Sequence, residues 1–94
     1  MLYTCFMAHK SIEELAAQLA AAELQVEVGA NYAHYKHPDQ PYTVTLVAIS
    51  EATEEVCVIY TQESGARVPF IRPLASFLEM VEVDGVHARR FQKI

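Results

Sequence analysis

The spacing of apolar residues changes period along the chain, and each change marks an element. Ser11, followed three positions later by Glu14, makes a capping-box pattern in which each side chain satisfies a free backbone N–H at a helix start. Ile12, Leu15, Ala16, Leu19 and Ala20 then recur at helical spacing and give one narrow apolar stripe, while Glu13, Glu14, Gln18 and Glu23 turn to water. A helix over about 11–23 is predicted, within an N-terminal extension of residues 1–28. Burial of Ile12, Leu15 and Leu19 would contribute roughly 1.5–3 kcal/mol each, enough to hold a helix too short to persist alone. The stripe is expected to pack on its own domain, with a homodimer seam through this helix as the alternative.

From Leu24 the period falls to 2, since Leu24, Val26 and Val28 alternate with Gln25 and Glu27, and an extended segment is predicted there. His37-Pro38-Asp39-Gln40-Pro41 reads as a turn-rich connection. Tyr42 to Ile49, dense in β-branched and aromatic residues, is the strongest strand signal in the chain. Val56 to Thr61 is a second strand, paired antiparallel to the first across the acidic turn Ser50 to Glu55. Gln62 to Arg67, with Gly65, reads as a loop tip, and Val68 to Ile71 as a short strand ended by Arg72-Pro73. Leu74, Phe77, Leu78 and Val81 suit a helical turn or packed irregular segment. Asp84-Gly85 is a hairpin signal, because it supplies the positive φ that a tight turn needs. About five short strands this closely spaced predict a mainly β fold, a small partly open barrel over 29–94 behind the N-terminal helix.

The chain is 94 residues long, enough for one domain, 1–94, with a single core and no separate cofactor domain. Its hydrophobic content of 52% is that of a folding chain. A formal net charge of −5 weighs against broad binding to nucleic-acid phosphates, though it does not exclude a local basic patch. Cys5 and Cys57 lie far apart in apolar runs, without zinc-site spacing or the density of a secreted disulfide scaffold, and are expected to be reduced, buried thiols. Residues 1–7 are apolar for too short a stretch, and lack the basic leader, to make a signal peptide or a membrane span. A cytoplasmic protein is expected, with no membrane partner.

Candidate chemistry gathers in Tyr32-Ala33-His34-Tyr35-Lys36 and Phe70-Ile71-Arg72-Pro73. Arg72 stands between apolar residues and before Pro73, so its stem is expected against the core with its planar fork presented to a carboxylate or phosphate. The competing use is a salt bridge to Glu79, Glu82 or Glu51. His34 and His37 flank Lys36, three donors suited to an anion, against the ordinary alternative of half-buried hydrogen-bonding histidines. Tyr32, Tyr35, Tyr42 and Tyr60 offer an aromatic floor. Alternation puts Tyr35 opposite Tyr32 and His34; Tyr60, mid-strand, is expected in the core, and Tyr32 and Tyr42 on an exposed platform. No nucleophile motif, glycine-rich phosphate loop or paired carboxylate points to catalysis, and no metal or cofactor is called for.

From Gly29 to Phe91 the chain resembles a bacterial family known as domain of unknown function 1653. The resemblance rests on Gly29-x-x-Tyr32-x-His34-Tyr35-Lys36, Tyr42-x-Val44, Ala48, Val58-Ile59-Tyr60, Ile71-Arg72-Pro73-Leu74, Phe77, Val81, Asp84-Gly85 and Arg90-Phe91. It implies an SH3-like barrel and carries no established activity. Phe70 stands where members often have Trp, and Ser50 where many have His, so no acid–base role is assigned to the loop after the first long strand. Residues 1–28 have no counterpart in the pattern.

These observations lead to a non-enzymatic binding or accessory module, with Tyr32, His34, Lys36, Tyr42 and Arg72 binding a small anionic ligand or a peptide. The runner-up is a small barrel that binds nucleic acid or nucleotides by stacking and backbone contact, which the acidic balance disfavours. An enzyme is third, since no perturbed acid or base is evident from spacing.

Overall fold

Ser11 caps the first helix as its spacing with Glu14 predicts. In the computed structural model, which describes residues 9–94, α1 (Ile12–Glu23) opens with the Ser11 side chain accepting from the Glu14 N–H at 3.1 Å and the Glu14 carboxylate accepting from the Ser11 N–H at 2.8 Å. The stripe is buried over only part of its length. Ala22 is buried and Leu19 packs on the core, but Ile12 is 76% exposed. The helix therefore leans on the sheet by its C-terminal half, and the burial expected for Ile12 is not realised.

The extended segment predicted after α1 is instead a turn. Leu24 is the helix C-cap, and the N–H groups of Leu24, Gln25 and Val26 satisfy the last helical carbonyls of Ala21 and Ala22. Leu24 and Val28 face solvent while Val26 is fully buried, so the alternation reflects one anchor in a turn rather than a strand.

Seven strands form two antiparallel sheets: β1 (Asn31–His34), β2 (His37–Ile49), β3 (Val56–Gln62), β4 (Pro69–Pro73), β5 (Met80–Val83), β6 (Val86–Arg89) and β7 (Phe91–Lys93). The fold is mainly β, as the pattern predicts, with seven strands where about five were expected. The larger sheet has the order β4-β3-β2-β1-β7, the smaller is the hairpin β5-β6, and no closed barrel results. His37 to Pro41, expected to be a turn, is the start of β2. The tight turn falls earlier, at Tyr35-Lys36, and brings His37 opposite His34 and Pro41 opposite Ala33. Because β3 pairing begins only at Tyr42, this end of β2 has one free edge, where prolines cost no ladder bond. The edge strand β4 begins and ends with proline, which blunts it against pairing with another chain.

The acidic turn between β2 and β3 and their antiparallel pairing match the sequence. So does the Asp84-Gly85 turn, where both residues have positive φ, 52° and 79°. Leu74–Phe77 forms one helical turn, α2, and delivers Phe77 to the centre of the core. Phe77 stacks on Phe91 at 4.3 Å and meets the rings of Tyr32 and Tyr60 at 5.3 and 5.6 Å. Val26, Val44, Val47 and Val58 complete the cluster. Cys57 is a free, buried thiol whose pKa burial, and then Glu55, push upward, which disfavours the thiolate. Cys5 lies outside the described residues.

Candidate functional site

Tyr60 on β3 pairs with Phe70 on β4, and Val58 with Arg72, so alternation puts Phe70 and Arg72 on the face that carries the core. The same face of β2 carries Tyr42, whose ring lies 5.4 Å from Tyr60 and 6.2 Å from both Phe70 and Phe91. His34, at the end of β1, meets the edge of Phe91 at 5.0 Å, with His37 6.1 Å away across the turn. These residues line an open cleft of about 230 Å³: His34, His37, Tyr42, Tyr60, Phe70, Arg72 and Phe91. Five strands contribute to it, which is why no single stretch of sequence shows it.

Arg72 is the group around which the cleft is built. Its guanidinium carbon lies 5.6 Å from the Phe91 ring centroid, its Nε donates to the Tyr60 hydroxyl at 3.3 Å, and one terminal nitrogen donates to the Ser76 hydroxyl at 2.9 Å. Both partners are neutral. Among the described residues Arg72 has no carboxylate partner, since Glu79 is taken by Arg90 at 2.6 Å and the other pairs are Lys93 with Glu27 and His9 with Glu54. The salt bridge weighed for Arg72 is therefore absent, and its charge is left to the cleft.

His34 shares this cationic environment. The Lys36 N–H donates to its Nδ1 at 3.1 Å, which assigns the neutral ring's proton to Nε2 and makes that atom a donor. Its pKa is lowered from the ordinary histidine value, chiefly by burial and then by the positive charges of Arg72, Arg90, His37 and Lys36.

Of the five residues singled out by sequence, His34, Tyr42 and Arg72 converge on the cleft. Tyr32 does not line it: it is only 7% exposed, packs on Phe77, and its hydroxyl accepts from the Glu27 N–H at 3.0 Å. The exposed platform expected of Tyr32 is thus corrected. Tyr32 and His34 share one face of β1, as alternation predicts, since β1 pairs with β7 without a shift; the register irregularity lies in β2, whose residues 38–40 are left over, and Tyr32 is the one the core covers, against Phe77, while His34 meets Phe91. Lys36 is exposed at the turn, with its ammonium 5.8 Å from the Tyr35 ring, and does not line the cleft either. Tyr60 is buried as expected, yet its hydroxyl seats Arg72. Phe91 and Ser76 were not singled out as site residues in the sequence, although Phe91 belongs to the pattern that carries the family resemblance. Ser76 lies four residues after Arg72, a spacing that one helical turn makes a contact. Phe91 has no local signal, because its place depends on β7 returning to β1.

Among the described residues no group of three or more His, Cys, Asp or Glu converges as a metal would require. No helix among them is long and apolar enough to cross a membrane.

The chain is thus a mainly β domain with a cationic, aromatic cleft on one sheet face. The model of a family described as Protein of unknown function (DUF1653) matches residues 30–93, and the chain belongs to that family. The chain is similar to a DUF1653 protein from Bordetella bronchiseptica solved by crystallography, at 27% identity and a TM-score of 0.61, over 74% of this chain and 90% of that one. No curated protein matches the chain. The family match begins after α1.

Proposed function

We propose that this domain is a non-enzymatic binding module whose cleft takes the anionic group of a small ligand or peptide, in the manner of ligand faces on SH3-like barrels. The observation that carries the proposal is Arg72. A guanidinium fixed on an aromatic ring by two neutral hydroxyls keeps its full charge and faces a cavity that no carboxylate lines. Holding a cation against aromatic surface without a counter-ion costs stability that a purely structural site would recover by pairing it. His34 adds a donor beside it, and Tyr42 and Phe70 add apolar walls.

The test is a thermal-shift titration with carboxylates and phosphates on the unaltered protein and on Arg72→Gln. A ligand at 100 times its dissociation constant adds about 2.7 kcal/mol to stability. Stabilisation of the unaltered protein, lost in the variant, is expected. If no anion stabilises the unaltered protein at any concentration, the proposal fails.

A further inference from the structure

We propose, on the footing of the anion-binding cleft above, that its ligand class is the flat monocarboxylate: one carboxyl group on a planar apolar body about the size of a benzene ring. Three features of the cleft select this class over phosphates and over larger anions.

The first is charge. Arg72 is the one permanent cation lining the cleft, because Lys36 sits outside over Tyr35 and Arg90 is engaged by Glu79. A single guanidinium balances a monoanion. A phosphate dianion there would keep an unbalanced charge against the rings of Tyr42, Phe70 and Phe91, and partly desolvated charge without a partner is costly.

The second is hydrogen-bonding character. The guanidinium has N–H groups beyond those given to Tyr60 and Ser76. Both hydroxyls accept from Arg72, so their own protons remain to be donated, and His34 presents Nε2–H. The polar groups around Arg72 are thus set to donate, and no carboxylate oxygen lines the cleft. An acceptor-only head satisfies this set, and a planar carboxylate matches the fork of the guanidinium.

The third is shape. Tyr42, Tyr60 and Phe70 stand around the mouth with centroid separations of 5.4, 5.9 and 6.2 Å, and Phe70 remains 40% exposed although it belongs to the aromatic group. A flat body laid against Phe70 and Tyr42 would remove apolar surface from water and gain edge or offset ring contacts. The cavity of about 230 Å³ lies below the range of roughly 300–1,000 Å³ usual for drug-sized ligands, which suits a body the size of one ring better than a larger one.

The experiment is an NMR titration of the isotope-labelled protein at pH 7.5 and constant ionic strength with benzoate, acetate and inorganic phosphate, following the Arg72 side-chain N–H and His34 ring signals. Benzoate is expected to shift both and to bind at least tenfold more tightly than acetate or phosphate. Arg72→Gln is expected to abolish the effect. Phe70→Ala, at a half-exposed position that does not threaten the fold, is expected to weaken benzoate severalfold while leaving acetate unchanged. Phosphate binding as tightly as benzoate would overturn the carboxylate preference but leave an anion cleft standing. Acetate equal to benzoate, or a Phe70→Ala protein that binds benzoate as well as the unaltered one, would overturn the flat body. Silence from all three anions would overturn this inference and the binding module together.

Discussion

Phe77→Ala should be the most damaging single truncation in the described core. Phe77 is 1% exposed, lies flat on Phe91 with 6° between the ring planes, and is met by Tyr32 and Tyr60 from two further strands. Truncating a buried phenylalanine costs about 3–5 kcal/mol, the sum of lost transfer free energy and an unfilled cavity. The upper half of that range applies here, because each well-placed aromatic pair adds roughly 0.5–1.5 kcal/mol beyond area burial. Domains of this size have total stabilities of about 5–14 kcal/mol, at roughly 0.05–0.15 kcal/mol per residue. The variant should therefore lose roughly a quarter or more of its stability and melt at least about 16 °C lower, at roughly 4 °C or more per kcal/mol. Urea unfolding followed by far-UV circular dichroism reads this as a fall in midpoint at unchanged slope. Leu24→Ala is the control: at 89% exposure it should stay within about 0.5 kcal/mol of the parent. A loss below about 1 kcal/mol for Phe77→Ala would refute the placement of α2 over the aromatic face, and with it the support for Phe91 beneath Arg72.

Three further outcomes follow from local geometry. Ser11→Ala removes the cap acceptor of the Glu14 N–H and should cost about 1 kcal/mol, seen as faster amide exchange confined to the first turns of α1; unchanged exchange there would mean that the capping box contributes nothing. Gly85→Ala places a side chain at φ +79°, where its Cβ would meet nothing within 4 Å, so the cost of about 1–2 kcal/mol is backbone strain alone and should appear in the β5-β6 hairpin. An equal loss of protection in β2 and β3 would contradict that locality. His34 should titrate below its ordinary value of 6.5 in an NMR pH series, because burial and then Arg72, Arg90, His37 and Lys36 disfavour its cation. In the unfolded chain it takes up its proton first as pH falls, so the stability contributed by neutral His34 is present above about pH 6.5 and is lost as pH drops through the folded pKa. A measured His34 pKa at or above 6.5 would show that the cleft is less cationic than its geometry implies.

How much of this was legible in the sequence depends on how far each feature reaches along the chain. The Ser11-Glu14 box, the Asp84-Gly85 turn and the long apolar strands are encoded within a few residues of themselves, and each is found where its pattern puts it. Misreadings arise where a local rule has two solutions. Prolines at 38 and 41 suit a turn or an unpaired strand edge, and the structure takes the edge because the turn had already been made at Tyr35-Lys36. Leu24, Val26 and Val28 alternate, yet the backbone there spends its N–H groups on closing α1, so no ladder forms. Alternation along β1 does keep Tyr32 and His34 on one face, and what it could not show is which of the two the core covers: Tyr32 is buried on Phe77, and His34 reaches the cleft.

The candidate site follows the same division, and this bears on what kind of site it is. Arg72, Tyr42 and His34 were recognisable because a cation or polar ring inside an apolar strand needs a reason to be there. What the residues could not show is that Phe91, brought in by the last strand, and Ser76, brought in by one helical turn, hold Arg72 from two sides. The glutamates that would have neutralised Arg72 are placed elsewhere: Glu79 meets Arg90 at the start of the β5-β6 hairpin, and Glu27 meets Lys93 at the end of β7. In a chain with net charge −5, carboxylates outnumber cations, so a guanidinium without one is a property of the fold's geometry and not of composition. The energetic consequence is specific: pairing Arg72 with an incoming carboxylate would supply a charge-assisted contact that folding left unmade, and the proposed binding module would draw its affinity from that contact.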